Sequence, residues 1–214
     1  KKLYYRLLSE FMLQQTQVKT VLPYFKNFLH HYPTLESLSK SNEKKVLKLW
    51  EGLGYYRRAR NLLTTVKILV KRHNSKLPKK MNDIKKLPGV GNYTANALLA
   101  FIYDQQTIPI DGNVKRVFSR IVNKSETTID LVKIIESNSK FLFNTKRNSD
   151  FAEALMEFGA LICKPKEPEC FKCNIRRSCK YFKSDKKLKK IKKAQALEKS
   201  YDIFCSINKK KNKI

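Results

Sequence analysis

The sequence predicts an all-α fold. Apolar residues recur every three or four positions along the first part of the chain, which is the spacing that buries one face of a helix. No alternating pattern long enough for a core strand appears before residue 200, and prolines and glycines divide the periodic segments into short helices. The apolar residues that define this pattern are Val18, Val21, Leu22, Phe25, Phe28, Leu29, Val46, Leu47, Trp50, Leu62, Val66, Leu69 and Val70.

The helix ends are predicted from residues that interrupt or cap helices. Pro23 lies within the first periodic segment and predicts a break into two helices. Gly52 and Gly54 predict the end of the helix that runs to Trp50. Asp150, with Glu153 three residues later, predicts a capping box that opens a later helix.

The charge balance indicates a polyanionic partner. Lysine and arginine number 46 against 18 acidic residues, which gives a formal net charge of +28. Nucleic acid is the leading candidate and an anionic membrane surface is the second, while a general bias of the composition toward lysine explains part of the excess. No run of eighteen apolar residues and no signal-peptide pattern is present, so we expect a soluble, intracellular protein.

Four of the five cysteines form one cluster. Cys163, Cys170, Cys173 and Cys179 follow a C-x6-C-x2-C-x5-C pattern, which indicates metal ligation in an intracellular chain. Zinc and an iron–sulfur cluster both take four thiolates, and ligand chemistry alone places zinc ahead. The lysines and arginines around the pattern favour a loop that faces phosphates.

A pair of glycines precedes a helical segment at residues 87–95, LPGVGNYTA. Gly89 and Gly91 have access to positive φ and permit close approach of another chain. Free backbone N–H groups at the start of the following helix are suited to bind a phosphate. An ordinary corner between two helices is the alternative interpretation.

Three motifs in the same order resemble those of the helix-hairpin-helix DNA glycosylases of the endonuclease III superfamily. They are the hairpin at 87–95, the aspartate segment at 110–117 (IDGNVKRV) and the cysteine pattern, and the resemblance covers roughly residues 3–181. The segments 9–18 (SEFMLQQTQV) and 52–62 (GLGYYRRARNL) resemble the MutY-type adenine glycosylases in particular. The resemblance implies a two-lobed fold with an iron–sulfur cluster loop, and it favours a [4Fe-4S] cluster over zinc at the four cysteines.

The resemblance also implies a domain division. Residues 20–111 are expected to form a six-helix domain with the hairpin, and residues 1–19 with 112–181 a catalytic and cluster-bearing domain. Residues 182–200 are expected to be a basic linker, and 201–214 the truncated start of a C-terminal, Nudix-like domain. On this view the chain is a fragment that also lacks an N-terminal segment.

The catalytic residues implied are Glu10, Asp111, Tyr93 and Asn113. Cleavage of an N-glycosidic bond needs an acid at the base and a negative charge near the sugar, and Glu10 and Asp111 are the candidate pair. Tyr93 occupies the position of the Schiff-base lysine in the bifunctional branch, and a phenol forms no imine. Asp111 or Asn113 as simple helix caps and Glu10 as a surface residue are the structural alternatives.

DNA contacts are expected from residues that match the family's DNA-entering and phosphate-binding positions. Gln14, Gln15 and Tyr55 are expected to enter the duplex where the base leaves. The expected phosphate contacts are Gly89 and Gly91 of the hairpin and the basic residues Arg57, Arg58, Arg60 and Lys115.

The resulting functional prediction is a monomeric, monofunctional glycosylase that removes adenine mispaired with 8-oxoguanine or guanine from double-stranded DNA. Two alternatives stay open. One is a thymine or uracil mismatch glycosylase on the same scaffold, and the other is a noncatalytic, basic DNA-binding module.

Overall fold

The computed structural model describes residues 2–126, 129–143 and 146–184. These residues form helices joined by turns and contain no strand, which confirms the all-α prediction for this part of the chain. Two 3₁₀ turns, Cys170–Lys172 and Arg176–Ser178, precede the last helix. The helices are α1 (Lys2–Leu13), α2 (Val18–His31), α3 (Leu35–Ser39), α4 (Glu43–Leu49), α5 (Arg57–His73), α6 (Met81–Ile84), α7 (Asn92–Tyr103), α8 (Gly112–Val122), α9 (Ile129–Leu142), α10 (Asn148–Leu161) and α11 (Lys180–Lys183).

Helices α1 to α7 surround one hydrophobic core. Phe11, Phe28, Trp50, Leu62 and Leu98 are among its fully buried side chains. Phe28 packs edge-on against Trp50, with ring centroids 6.1 Å apart. Burying a large apolar side chain stabilises the fold by roughly 1.5–3 kcal/mol. These contacts therefore fix helices α1 to α7 relative to one another, and with them the hairpin at residues 87–95.

Helix α1 packs within this first core, whereas the domain division expected from the sequence grouped residues 1–19 with residues 112–181. Its buried residues Leu7, Leu8 and Phe11 belong to the same cluster as α5 and α7. Its Arg6 side chain stacks over the Phe101 ring of α7 at 4.1 Å and forms an ion pair with Glu153 of α10 at 3.9 Å. Helix α1 thus lies between the two halves of the molecule.

A second, smaller core lies between α8, α9 and α10. Its buried residues are Ile108, Val114, Phe118, Leu131, Ile135 and Phe143. A further small cluster packs Ala97, Ala100 and Phe101 of α7 against Ala152 of α10. Small side chains at this contact let α7 and α10 approach closely, which joins the two halves.

Helix α2 is continuous through Pro23, so the predicted break at this proline is wrong. Proline removes the hydrogen bond that its N–H would donate to the carbonyl of Lys19. Both Pro23 and Lys19 are exposed, so water can serve that carbonyl. The buried residues Val21 and Phe28 lie on either side of the proline and hold both parts of the helix to the core.

The predicted capping box at Asp150 and Glu153 is also wrong, because α10 begins two residues earlier, at Asn148. Asp150 lies in the first turn, where it forms an ion pair with Arg147. The termination of α4 before Gly52 and Gly54 is confirmed, and both glycines have positive φ, 89° and 73°. These values require glycine or a strained residue.

None of the described helices has the length and apolar character needed to cross a bilayer. The expected basic linker, apart from residues 182–184, and the expected start of a C-terminal domain lie outside the described residues.

Candidate active site and nucleic-acid interface

A cleft of about 1080 Å³ lies where four segments of the chain meet. They are the end of α1 with its following turn, the glycine-rich turn before α5, the hairpin before α7 and the start of α8. The structure thus brings twelve of the thirteen predicted catalytic and DNA-binding residues to one surface; Asn113 alone among them does not line the cleft. The twelve are Glu10, Gln14, Gln15, Tyr55, Arg57, Arg58, Arg60, Gly89, Gly91, Tyr93, Asp111 and Lys115.

Glu10 is a buried carboxyl group that lines the cleft. It lies on α1 beside the fully buried Phe11 and Met12, and only 5% of its surface is exposed. Burial disfavours the charged form and raises the pKa of Glu10 from 4.5 to about 7, while the positive charge of Arg6 opposes this rise. Its burial excludes the surface-residue alternative and provides an acid that keeps its proton near neutral pH.

Asp111 is the N-cap of α8, as the sequence predicts, and it also lines the cleft. Its Oδ1 accepts a hydrogen bond from the backbone N–H of Val114 at 2.7 Å, and its Oδ2 accepts one from Nδ2 of Asn113 at 3.0 Å. Donors at a helix start stabilise a carboxylate anion. One residue therefore serves as a cap and as a fixed negative charge in the cleft.

Tyr93 lies in the first turn of α7, half-buried, and lines the same cleft. Burial raises the pKa of its hydroxyl, and the negative charges of Glu10 and Asp111 raise it further. The phenol therefore stays protonated, so its O–H is available as a hydrogen-bond donor close to two acidic groups.

Asn113 lies beside Asp111 but does not line the cleft. Its amide joins two other side chains: Nδ2 donates to Asp111, and Oδ1 accepts from Nη2 of Arg116 at 2.7 Å. Arg116 is itself buried and donates to the carbonyls of Gly159 at 2.6 Å and Cys163 at 2.8 Å. Asn113 thus orients Asp111 and connects it to the loop that carries the cysteines.

Glycine at position 159 permits this connection. A Cβ on Gly159 would lie 2.7 Å from the Cβ of Asn113 and 2.9 Å from its carbonyl oxygen. Such distances are too short for non-bonded atoms. Helix α10 can therefore pack against the start of α8 only because residue 159 has no side chain.

The four clustered cysteines line a small cavity between α8, α10 and the loop that leads to α11. The guanidinium of Arg120 donates to Sγ of Cys163 at 3.2 Å, and Sγ of Cys179 lies 3.4 Å from the carbonyl oxygen of Arg120. Within the described residues, no three His, Cys, Asp or Glu side chains meet closely enough to hold a single metal ion. Four thiols around one cavity, with a cation beside them, fit an anionic cluster with cysteine ligands.

The hairpin glycines differ from each other. Gly89 has φ 78°, and a Cβ there would lie 2.8 Å from both Phe11 and Asn61. Gly91 has φ −88° and ψ −176°, which any residue adopts, and nothing lies within 4 Å of its missing Cβ. Of the two glycines with access to positive φ, only Gly89 adopts it; Gly91 instead leaves open space before the amides of α7.

Arg58 does not have the phosphate-binding role predicted for it. Its side chain is 6% exposed and donates hydrogen bonds to five backbone carbonyls. Arg57, Arg60 and Lys115 remain at the cleft surface, although Arg60 also forms an ion pair with Glu43 at 2.7 Å. Tyr55, which precedes these arginines, is 63% exposed.

Residues 8–142 match the family model for the HhH-GPD superfamily of base excision DNA repair proteins, which covers more than half of the chain. The chain belongs to this superfamily.

One HhH-GPD relative, an adenine DNA glycosylase of Buchnera aphidicola subsp. Baizongia pistaciae, is 41% identical over 207 residues, which is 95% of this chain and 54% of the relative. An adenine DNA glycosylase of Mus musculus is 36% identical over 81% of this chain and 34% of its own length. The chain spans about half the length, or less, of these curated relatives.

Among solved structures, a thermostable thymine-DNA glycosylase has a TM-score of 0.75 at 25% identity, with 85% of each chain covered. An endonuclease III trapped as a covalent DNA intermediate, in an estranged-adenine complex, has a TM-score of 0.72 at 22% identity and covers 86% of this chain and 85% of that one. These similarities confirm the helix-hairpin-helix glycosylase fold.

Three arginines of this HhH-GPD chain have structural roles that the sequence analysis missed. Arg58 lies four residues before Leu62 and eight before Val66, so the helical period already places it on the buried face of α5. Arg116 and Arg120 are four residues apart on the face of α8 toward the cysteine loop. The same periodicity that identified the apolar core could have identified all three as inward-facing.

The glycine geometry predicts that two similar substitutions differ in their effect on stability. Gly89→Ala should lower the free energy of unfolding by about 2–4 kcal/mol, because it combines a strained φ with clashes against Phe11 and Asn61. Gly91→Ala should leave it within about 0.5 kcal/mol of the wild type, since the space is open. Urea denaturation of both variants measures the difference, and equal losses would contradict the assigned geometry.

Proposed function

We propose that the protein is a monofunctional DNA glycosylase that removes mispaired adenine from duplex DNA. The observation that carries the proposal is the pairing of two unlike carboxyl groups in one cleft. Glu10 is buried and has a pKa of about 7, whereas Asp111 is held by a backbone N–H and an amide donor at a helix start. One group is suited to donate a proton, and the other is suited to stabilise a positive charge.

These roles match the demands of adenine release. Adenine has basic ring nitrogens, so protonation by Glu10 turns it into a better leaving group as the C1′–N9 bond breaks and its electrons move to the base. The sugar becomes cationic, and the Asp111 carboxylate stabilises it. Water then adds to C1′ and loses a proton, which leaves an abasic site. Tyr93 donates a hydrogen bond within the same pocket.

Charge and shape support DNA as the substrate. A formal net charge of +28 favours phosphate binding, and the cleft carries Arg57 and Lys115 beside the free amides at the start of α7. A base inside the stack cannot reach Glu10, so the target nucleotide must be extruded. The exposed ring of Tyr55 and the amides of Gln14 and Gln15 are suited to replace it in the duplex.

We infer that a monomer performs this reaction inside the cell, with 8-oxoguanine or guanine opposite the adenine.

A [4Fe-4S] cluster is the cofactor that we propose for the cysteine loop. Cys163, Cys170, Cys173 and Cys179 would hold it, and when bound it would cross-link the loop through its iron–sulfur bonds. The chain's own contribution is electrostatic: Arg120 lies against the thiol of Cys163 and donates to the carbonyls of Lys164 and Pro165.

Metal analysis tests this cofactor. Protein purified without oxygen should contain about four iron and four acid-labile sulfide per chain. Cys173→Ser should lose most of the iron, whereas Cys205→Ser, outside the pattern, should retain it. About one zinc per chain without sulfide would instead establish the zinc alternative.

A thymine or uracil mismatch glycosylase is the second candidate, supported by the similarity to a solved thymine-DNA glycosylase. Two observations favour adenine. The relatives named adenine DNA glycosylase match 95% and 81% of the chain at higher identity. A buried acid also has a clear use with adenine, whereas thymine and uracil leave as anions stabilised by their own carbonyl groups.

Base release from defined duplexes tests the function. Adenine opposite 8-oxoguanine or guanine should be released, while adenine opposite thymine, and thymine or uracil opposite guanine, should not. Glu10→Gln should lower the single-turnover rate by at least 100-fold, because the amide has no proton to give. If Glu10→Gln kept full activity, the assignment of the acid would be wrong; if the wild type released no base, the noncatalytic binding module would be favoured.

The pH dependence follows from the raised pKa of Glu10. Base release should fall as the pH rises through about 7, because the acid loses its proton there. The folded state binds this proton more tightly than the unfolded state, so wild-type stability should decrease between pH 4.5 and about 7, by an amount on the order of 3 kcal/mol. Glu10→Gln should therefore be more stable than the wild type at pH 8 and not at pH 4.5, which thermal melts at both pH values measure.

Tyr93 predicts the absence of strand cleavage. The wild-type product should be an intact strand with an abasic site, which breaks only after alkali treatment, and borohydride should trap no covalent adduct. Tyr93→Phe should give the same negative trapping result. A borohydride-trapped adduct with the wild type would refute the monofunctional mechanism.

A further inference from the structure

Arg58 connects the two turns that border the cleft. Its Nη1 donates to the carbonyls of Phe11, Met12 (2.7 Å) and Gln14, at the end of α1 and in the turn that follows. Its Nη2 donates to the carbonyls of Leu53 (3.2 Å) and Gly54 (3.1 Å), in the turn before α5. One guanidinium group therefore binds two chain segments that lie about forty residues apart in the sequence.

Both turns hold a strained residue next to a carbonyl that Arg58 binds. Gln15 has φ 56° and Tyr55 has φ 48°, in the left-handed region that non-glycine residues adopt at a cost. The carbonyls of Gln14 and Gly54 belong to the peptides immediately before them. The arginine therefore fixes the peptide plane that orients each of these two cleft residues.

The buried charge of Arg58 is balanced by carbonyl dipoles. No carboxylate pairs with it within the part of the chain that the structure describes. Helix α1 has no basic residue in its last turn, and Arg58 supplies the missing cation at that negative end of the helix. Its guanidinium also lies 5.4 Å from the Tyr55 ring centroid and 5.5 Å from that of Trp50.

We propose that Arg58 is a positioning residue that locks the Gln14–Gln15 turn and the Tyr55 turn into one rigid wedge, so that both enter the duplex together. The proposal rests on the proposed function, since it concerns how the target base is extruded. Arg58 does not contact phosphate; it holds the residues that replace the base. Its five acceptors need the planar fork of a guanidinium, which lysine does not provide.

Three variants separate this role from a phosphate contact and from simple instability. Arg58→Met removes both charge and donors, Arg58→Lys keeps the charge, and Arg57→Met removes the exposed neighbouring cation. Leu38→Ala, a fully buried core residue away from the cleft, provides a control that loses stability without touching either turn. All measurements use the full chain at a temperature where melts show every variant folded.

Binding to duplex DNA is measured against salt concentration. Arg57→Met should reduce the slope of log affinity against log salt by about 0.9, as expected for one lost phosphate contact. Arg58→Met should leave the slope unchanged. A reduction of about 0.9 with Arg58→Met would overturn the proposal, because it would show a direct phosphate contact.

Base extrusion is measured with 2-aminopurine beside the target adenine, in a Glu10→Gln background that prevents release. The rate of the fluorescence increase on binding should be at least tenfold lower with Arg58→Met than with the unsubstituted background. The rate with Arg58→Lys should be within threefold of the rate with Arg58→Met. Leu38→Ala should open the duplex at the rate of the unsubstituted background. Full restoration by lysine, an unchanged opening rate with Arg58→Met, or an equal loss with Leu38→Ala would each contradict the wedge role.

Failure of this inference is distinguishable from failure of the proposed function. If the wild type binds and opens the duplex but releases no adenine, the proposed reaction is wrong and the fluorescence assay still tests Arg58. If the wild type releases adenine and Arg58→Met opens the duplex normally, the reaction stands and the inference falls.

Discussion

Hydrogen bonds from buried guanidinium groups to backbone carbonyls hold the cleft together. Arg58 joins the end of α1 to the turn before α5, and Arg116 joins the start of α8 to the end of α10 and the cysteine loop. A carbonyl at a helix end or in a tight turn has no partner within its own segment. A single arginine offers five donors in a fixed plane, so it can satisfy several such carbonyls at once. The apolar cores build the two halves of the molecule, and these arginines set the positions of the segments between them.

The two carboxyl groups of the cleft show how a fold assigns different chemistry to similar side chains. Glu10 is surrounded by apolar side chains on α1, so its charged form is disfavoured. Asp111 accepts hydrogen bonds from the backbone N–H of Val114 and from the amide of Asn113, which fix its orientation in the cleft. Arg6 moderates the first environment, and the Arg116 network supports the second. The two carboxyl groups of one cleft thus have different environments, one apolar and one rich in hydrogen-bond donors.

Much of the fold and most of the cleft could be predicted from the sequence, because helical periodicity and short motifs depend on local spacing. Glu10, Asp111 and Tyr93 were identified from the resemblance of their motifs to the helix-hairpin-helix DNA glycosylases, and the structure brings them together. Predictions failed where a long-range contact overrides a local preference. Pro23 stays within α2 because buried residues on both sides hold the helix. The helical period places Arg58 on the buried face of α5, but no local pattern reports which carbonyls of distant segments it binds.

Glu10 lies four residues before Gln14, so helix α1 fixes the distance between the acid and the turn that follows the helix. Each helical residue advances about 1.5 Å, so the acid lies about 6 Å along the axis from the wedge turn, which is close to the rise of two stacked base pairs. Gln14 also donates a hydrogen bond to the carbonyl of Gly89, which fixes the end of α1 relative to the hairpin. One residue inserted between Glu10 and Gln14 would rotate Glu10 by about 100° about the helix axis and carry it out of the cleft. An insertion or deletion in this segment is therefore expected to disturb the cleft more than a substitution that keeps its length.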